Sequence, residues 1–364
     1  MKKSTAVPGT SATNTSTQSL KIKTVMKTYL PYSLILAAAA SGMAFGAETA
    51  YTTPVGYITQ TVNSQGGSET LTIMGPTLVQ PTEYAGQSTV TPSGGAVITL
   101  PTGVPGTLGQ TYVLEITSGA SAGWWSTVMS STATSITVND NFPAGLPANT
   151  QILVRKHNTL QNWLGENVPG LIPFNGESGD EVQILNPNQS ITAFAYIPGS
   201  VTSTATDDWY NLGNNNLAND QAIEPGSAVI IKSKTLTTKN FITSGTVKTT
   251  ATQVDIFPGL TLLAQTAAAG ATLNETGLQF SLIPLNAEAS NTDFDEFQIL
   301  NANQSITAYA AADPALFGTA TVALLSDSSN AGNTEFDGGD GAIIKRQPVK
   351  PASTITIPGS VVAP

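Results

Sequence analysis

The chain has 364 residues, enough for two or three domains, with only 10% charged residues but 33 glycines and 22 prolines, a mix that favours short strands and turns over helices. Its formal charge is −10, and setting aside the first 46 residues, which hold five lysines and no acid, leaves nine bases against 24 acids; so acidic a body disfavours nucleic acid as a partner. The lack of cysteine removes disulfides, thiolate nucleophiles and Cys-ligated metal centres, and a single histidine, His157, removes any site needing two imidazoles.

In chain order, residues 26–47 read MKTYLPYSLILAAAASGMAFGA. Lys27 gives a positive start, Leu30–Ala40 an apolar run, and Ala44-Phe45-Gly46 small residues at a cleavage site, the three parts of a secretory signal peptide. Translation is expected to begin at Met26, and residues 1–46 form a leader. The apolar run is shorter than the ~20 residues a spanning helix needs. The product is therefore expected to be exported, with no membrane span in the mature chain.

Residues 47–159 read as an N-terminal β-domain. It opens with the strand-like TTPVGYITQTV (52–62), continues through a Gly/Pro/Thr-rich connection at 83–110, and has further strand candidates at Tyr112–Thr117, Ser126–Ser130, Ser135–Val138 and Gln151–Arg155. Two stretches, Asn158–Gly165 and Thr272–Leu278, read as short helices of about two turns each.

Beyond 160 the chain repeats itself. DEVQILNPNQSITAFAY (180–196) and DEFQILNANQSITAYAA (295–311) match at 13 of 17 positions at an offset of 115. Val182–Leu185 and Ile191–Phe194 are strand-like, and Asn-Pro-Asn-Gln between them suits a type I turn, so the phrase encodes a β-hairpin with Phe194 and Tyr309 on one face. GSAVIIK (226–232) matches GDGAIIK (339–345), and SGTV (244–247) matches PGSV (358–361). The expected fold is all-β, in sandwich or barrel-like modules, two of them internally duplicated: copy 1 over 160–245 and copy 2 over 246–364.

The runs TYVLEITSGASAGWW, ILVRKHNTLQNWLG, DEFQIL and GGDGAIIKR resemble a family of exported, β-rich proteins of unknown function known mostly from Verrucomicrobia-type bacteria. The resemblance covers most of the mature chain and implies secretion and a bacterial envelope setting. It brings no catalytic residues with it.

Several constellations could carry chemistry. Gly119-Ala120-Ser121-Ala122-Gly123 is a literal G-x-S-x-G, followed by Asp140 and His157, but the β-branched segment after it reads as strand, so a tight hairpin turn explains the glycines and no catalytic residue is assigned. Arg155-Lys156-His157 reads as the solvated basic end of a strand. Oxygen-rich loops offer calcium ligands at Asp293, Asp295, Glu296, Asp337 and Asp340, calcium being the one cofactor suggested; the competing reading is solvated acidic turns. Trp124 and Trp125 alternate on a strand, so one is expected to be exposed for ligand binding, whereas Trp163 and Trp209 read as packing residues. The sum is a non-enzymatic, exported structural or adhesive protein that self-associates or contacts envelope and matrix components; the alternative is a carbohydrate-binding protein using exposed tryptophans on glycans.

Overall fold

The computed structural model describes residues 54–91, 94–101, 103–142, 145–165, 171–203, 206–278, 282–285, 294–313 and 322–360. Its strands fall into three runs. The first is β1 (Val55–Val62), β2 (Thr70–Met74) and β3 (Leu78–Val79), followed by β4 (Thr82–Gln87), β5 (Val97–Thr99), β6 (Tyr112–Ile116), β7 (Trp125–Thr132), β8 (Ser135–Val138) and β9 (Gln151–Lys156). Then come β10 (Asn158–Thr159), helix α1 (Leu160–Leu164), β11 (Glu181–Leu185), β12 (Ile191–Ile197), helix α2 (Gly199–Thr202), β13 (Asp208–Asn211), β14 (Ala222–Ile223), β15 (Val229–Ser233) and β16 (Lys239–Val247). The last run is β17 (Thr252–Ile256), β18 (Gly259–Ala264), β19 (Ala271–Thr272), β20 (Glu296–Leu300), β21 (Ile306–Ala311), β22 (Val322–Leu324), β23 (Glu335–Phe336), β24 (Gly341–Arg346) and β25 (Ser353–Ile357).

The fold is all-β, and among the described residues the sheets stay open; none closes into the barrel that the sequence left as an option. Strands β4 to β9 form a six-stranded sheet of order β4-β9-β6-β7-β8-β5 over its own core, which includes Leu114, Val128, Ile136 and Val154. Two five-stranded sheets share one order: β13-β12-β11-β15-β2 and β22-β21-β20-β24-β18. Their registers agree as well. Val182 faces Phe194 and Glu181 faces Lys232 in the first; Phe297 faces Tyr309 and Glu296 faces Lys345 in the second.

The strands at 55–79, read from sequence with the N-terminal β-domain, pair elsewhere. β2 adds to the edge of β15, and β1 lies along β16 with Gly56 opposite Gly245. The six-stranded unit therefore enters as an insertion between β3 and β10. Such a split is invisible to local pattern, because the pairing joins residues more than 150 positions apart.

Each five-stranded sheet buries both faces. Alternation within a strand decides which side chain goes where. In β15, Val229 and Ile231 point into one core with Phe194, Trp209 and Trp163, while Ile230, and Ala228 just before the strand, point the other way. Val254, Ile344, Phe297 and Tyr309 make the matching core of the second sheet. The outer faces, Ile73, Leu185 and Ile230 against Leu262, Leu300 and Ile343, pack on each other in a thin shared layer. The two units thus stand back to back.

The repeated phrase explains how that stack is locked. Each hairpin closes through a short turn whose last residue, Gln189 or Gln304, takes a left-handed φ of 66° or 67°. This conformation costs a non-glycine residue roughly 1–2 kcal/mol. It aims the amide outward: Gln189 accepts from Leu260 N (2.7 Å) and donates to Leu260 O (3.0 Å), and Gln304 accepts from Leu71 N (2.8 Å) and donates to Leu71 O (3.0 Å). Leu71 and Leu260 occupy corresponding edge strands, β2 and β18, so the tip of each sheet clasps the edge of the other.

Of the two expected helices, only the first forms. Thr159 and Asn162 make a reciprocal capping box for α1. Thr272 and Glu275 make the same contacts (2.8 and 3.4 Å), but the chain completes a single turn and Gly277, at φ 70°, ends it. Among the described residues no helix is long and apolar enough to cross a membrane.

Candidate binding cleft

A cleft of about 670 Å³ opens where the inserted unit meets the two five-stranded units. The volume is that of small-molecule sites, ~300–1,000 Å³. Trp124, Trp125 and Asp140 line it from the insert, Glu224 and the hairpin tip Asn186-Pro187 from the first unit, and Gln253, Asp255 and Thr354 from the second.

The 119–123 turn builds one wall. Gly119 (φ 78°) and Gly123 (φ 92°) adopt backbone that L side chains avoid, and a Cβ on Gly123 would lie 3.3 Å from the backbone of Ala251 and Gln253. That close approach lets Gln253 N donate to Gly123 O (2.8 Å), Gln253 Nε2 to Ala122 O (3.2 Å) and Trp125 Nε1 to Gln253 O (2.8 Å). The expected hairpin turn is there, and it docks the insert onto β17. Trp124 leans on Phe142 with ring centroids 4.8 Å apart. Both tryptophans are half-buried rather than one in and one out.

Three carboxylates line the same cleft. Asp140 is held by Ser126 Oγ (2.7 Å) and Asn139 Nδ2 (3.1 Å), and Asp255 by Thr354 Oγ1 (2.7 Å). Crowding by surrounding atoms raises the Glu224 carboxyl above its ordinary value, and Asp255 and Asp140 push it the same way. Glu224 keeps an exposed surface, so solvent screens much of the first effect; the direction rests on the two like charges as well. No lysine or arginine lines this cleft among the described residues.

No family model, curated protein or solved structure matches the chain.

The remaining sequence candidates lie elsewhere. Ser121 is in the turn after β6, whereas His157 N bonds Thr111 O beside the start of that strand (2.9 Å), so the two sit at opposite ends of β6. Asp140 binds Ser126, not His157. His157 and Arg155 are not a solvated basic end: both are almost fully buried. Arg155 pairs with Glu115 at 3.1 Å, Lys248 with the same carboxylate at 2.7 Å, and His157 Nε2 meets Thr127 Oγ1 at 3.2 Å. Two cations outweigh burial and hold Glu115 below its ordinary pKa, while burial lowers Lys248 and His157. This cluster ties the insert to the segment between β16 and β17.

The acids offered for calcium are dispersed. Asp293 lies outside the described residues. Asp295 is wholly buried and gives both oxygens to Arg346 (3.0 and 2.5 Å), with Ile283 N also donating (3.0 Å). Glu296 pairs with Lys345 at 2.6 Å. Asp295 aligns with Arg346 at one end of β24 and Asp340 precedes the other end, roughly 20 Å away at ~3.3 Å per residue. Among the described residues no three His, Asp or Glu side chains group as a metal site would. Asp180, the counterpart of Asp295, is also buried; it accepts from Ile172 N, Ser233 Oγ and Lys234 N at 2.8, 2.9 and 2.8 Å. The acids heading the two hairpins are therefore internal anchors, not solvated turns. Trp163 and Trp209 are core residues, as expected.

Glu224 and Asp255 escaped the sequence reading. One sits in a turn and the other on a strand, 31 residues apart and further still from Trp125, and no local pattern joins them.

Proposed function

We propose that this is an exported, non-enzymatic structural or adhesive protein of the cell envelope or extracellular matrix, whose attachment surface is the three-sided cleft. The observation carrying this reading is the construction of that cleft. Its walls come from three sheets, joined by the 119–123 turn on β17 and by the Gln189 and Gln304 clasps. Rigid walls present a ligand surface without an ordering cost on binding. The signal-peptide-like pattern within residues 26–47 and the near-repeat of 180–196 at 295–311 support export and a scaffold role.

A second reading, glycan binding, is favoured by the two half-buried indoles on one wall. An indole offers a flat apolar face worth ~150–250 Å² of burial against a sugar ring. The test is fractionation of the producing cell together with binding of the purified mature chain to isolated envelope and matrix. Recovery in those fractions, with binding reduced by Glu224→Gln, supports the proposal. Retention in the cytosol, or binding indifferent to every cleft substitution, overturns it.

A further inference from the structure

The cleft carries more than a location. Its wall chemistry combines two indoles with Asp140, Glu224 and Asp255 and contains no basic residue among the described residues. In the free protein burial, and after it the like charges of Asp255 and Asp140, disfavour ionisation of Glu224. A neutral occupant would displace water from these charges and leave the repulsion in place. A cation would neutralise it, and the indole faces would add cation–π attraction.

The strand edges bear on what kind of cation fits. One common way for a peptide to bind is to add a strand to a free sheet edge. On the cleft side of β17 that edge is taken at Gln253, whose N–H goes to Gly123 O and whose carbonyl accepts from Trp125 Nε1, both at 2.8 Å. Of the other polar wall groups, Asn139, Asn186 and Thr354 spend their donors within the protein, and their oxygens can accept from the hydroxyls of a sugar ring.

We propose that the cleft binds amino sugars, oligosaccharides whose rings carry free ammonium groups, with a ring stacked on an indole and the ammonium held between Glu224 and Asp255. This rests on the reading that the cleft is the protein's binding surface.

The experiment is calorimetric titration of the mature chain with four probes: a glucosamine oligomer, its fully N-acetylated counterpart, a neutral glucose oligomer of equal length, and an oligolysine peptide. The glucosamine oligomer should bind most tightly and weaken with added salt. Glu224→Gln should cost it about tenfold or more in affinity, the scale of one charge-assisted hydrogen bond. Glu224 is exposed, so this variant keeps the fold, which its melting curve checks. Equal binding of the N-acetylated or neutral oligomers would sink the amino-sugar inference while leaving a glycan-binding cleft. Tighter binding of oligolysine would replace the sugar by a cationic peptide. Binding of none of the four would overturn the inference; the proposed attachment surface would then stand or fall on the envelope-binding assay with Glu224→Gln.

Discussion

Gln189 and Gln304, 115 positions apart, each hold the backbone of the other's sheet: Gln189 through Leu260 and Gln304 through Leu71. Each amide makes two hydrogen bonds at a net ~0.5–1.5 kcal/mol apiece. Gln304→Ala should therefore lower stability by about 1–2 kcal/mol in urea unfolding. Gln189→Ala should lower it by less, since Gln189 is the more exposed. Gln304→Gly, which loses the clasp but relieves the left-handed φ, should fall between wild type and Gln304→Ala. Identical midpoints for all four proteins would mean that the clasp contributes nothing.

A sterically opposite test uses the other side of the contact. A Cβ on Gly259 would lie 2.4 Å from Gln189 Oε1, at φ 95°. Gly259→Ala should destabilise more than Gln189→Ala, because it adds backbone strain of order 1–3 kcal/mol to the lost bonds. Combining it with Gln189→Ala should recover part of the loss, measured as a double-mutant cycle.

The Glu115 cluster should be sensitive to loss of its anion. Glu115→Ala leaves Arg155 and Lys248 buried without a countercharge and should cost ~3–5 kcal/mol, the usual penalty for breaking a buried ion pair. Because Glu115 has a lowered folded pKa, its contribution is present above the ordinary 4.5 and is lost as pH falls through the folded value. Lys248 behaves differently: burial favours its neutral form, so stability rises as pH climbs from its lowered folded pKa towards 10.5. Lys248→Met should abolish that alkaline gain; an unchanged alkaline limb would contradict the assignment.

Asp340 gives a second pH signature. Its carboxyl is pushed up to about 6, by crowding first and by Asp337 second. A raised acid binds its proton more tightly in the folded state, so stability declines as pH rises from 3.8 towards about 6. Asp340→Asn should remove this decline and raise the melting temperature at pH 7. A variant with an unaltered pH–melting profile would rule the effect out.

Asp295 and Arg346 form the buried counterpart in the second unit. Arg346→Met should cost ~3–5 kcal/mol by stranding the carboxylate. With both Asp295 oxygens occupied by the guanidinium, calcium should leave the wild-type melting point unchanged. A clear rise on adding calcium, reversed by chelator, would overturn this expectation.

What could be read from the sequence follows the range of the interactions involved. The two hairpins were legible because alternation and turn chemistry act within 17 residues, and they place Phe194 and Tyr309 in the cores. The pairing of β2 with β15 was not, since the insert stands between them. His157 and Arg155 looked solvated because the carboxylate that allows Arg155 to be buried, Glu115, is 40 positions away and its second cation, Lys248, is 133 positions away. In the cleft, Trp124 and Trp125 announced themselves as a large aromatic pair, whereas Glu224 and Asp255 gain meaning only once three sheets meet.

The back-to-back stack has a consequence for how the protein withstands its surroundings. Two like units that met as separate molecules would come apart on dilution; joined by the short stretch from Val247 to Thr252, each sees the other at an effective concentration of order millimolar. Their contact thus survives dilution that would separate free subunits.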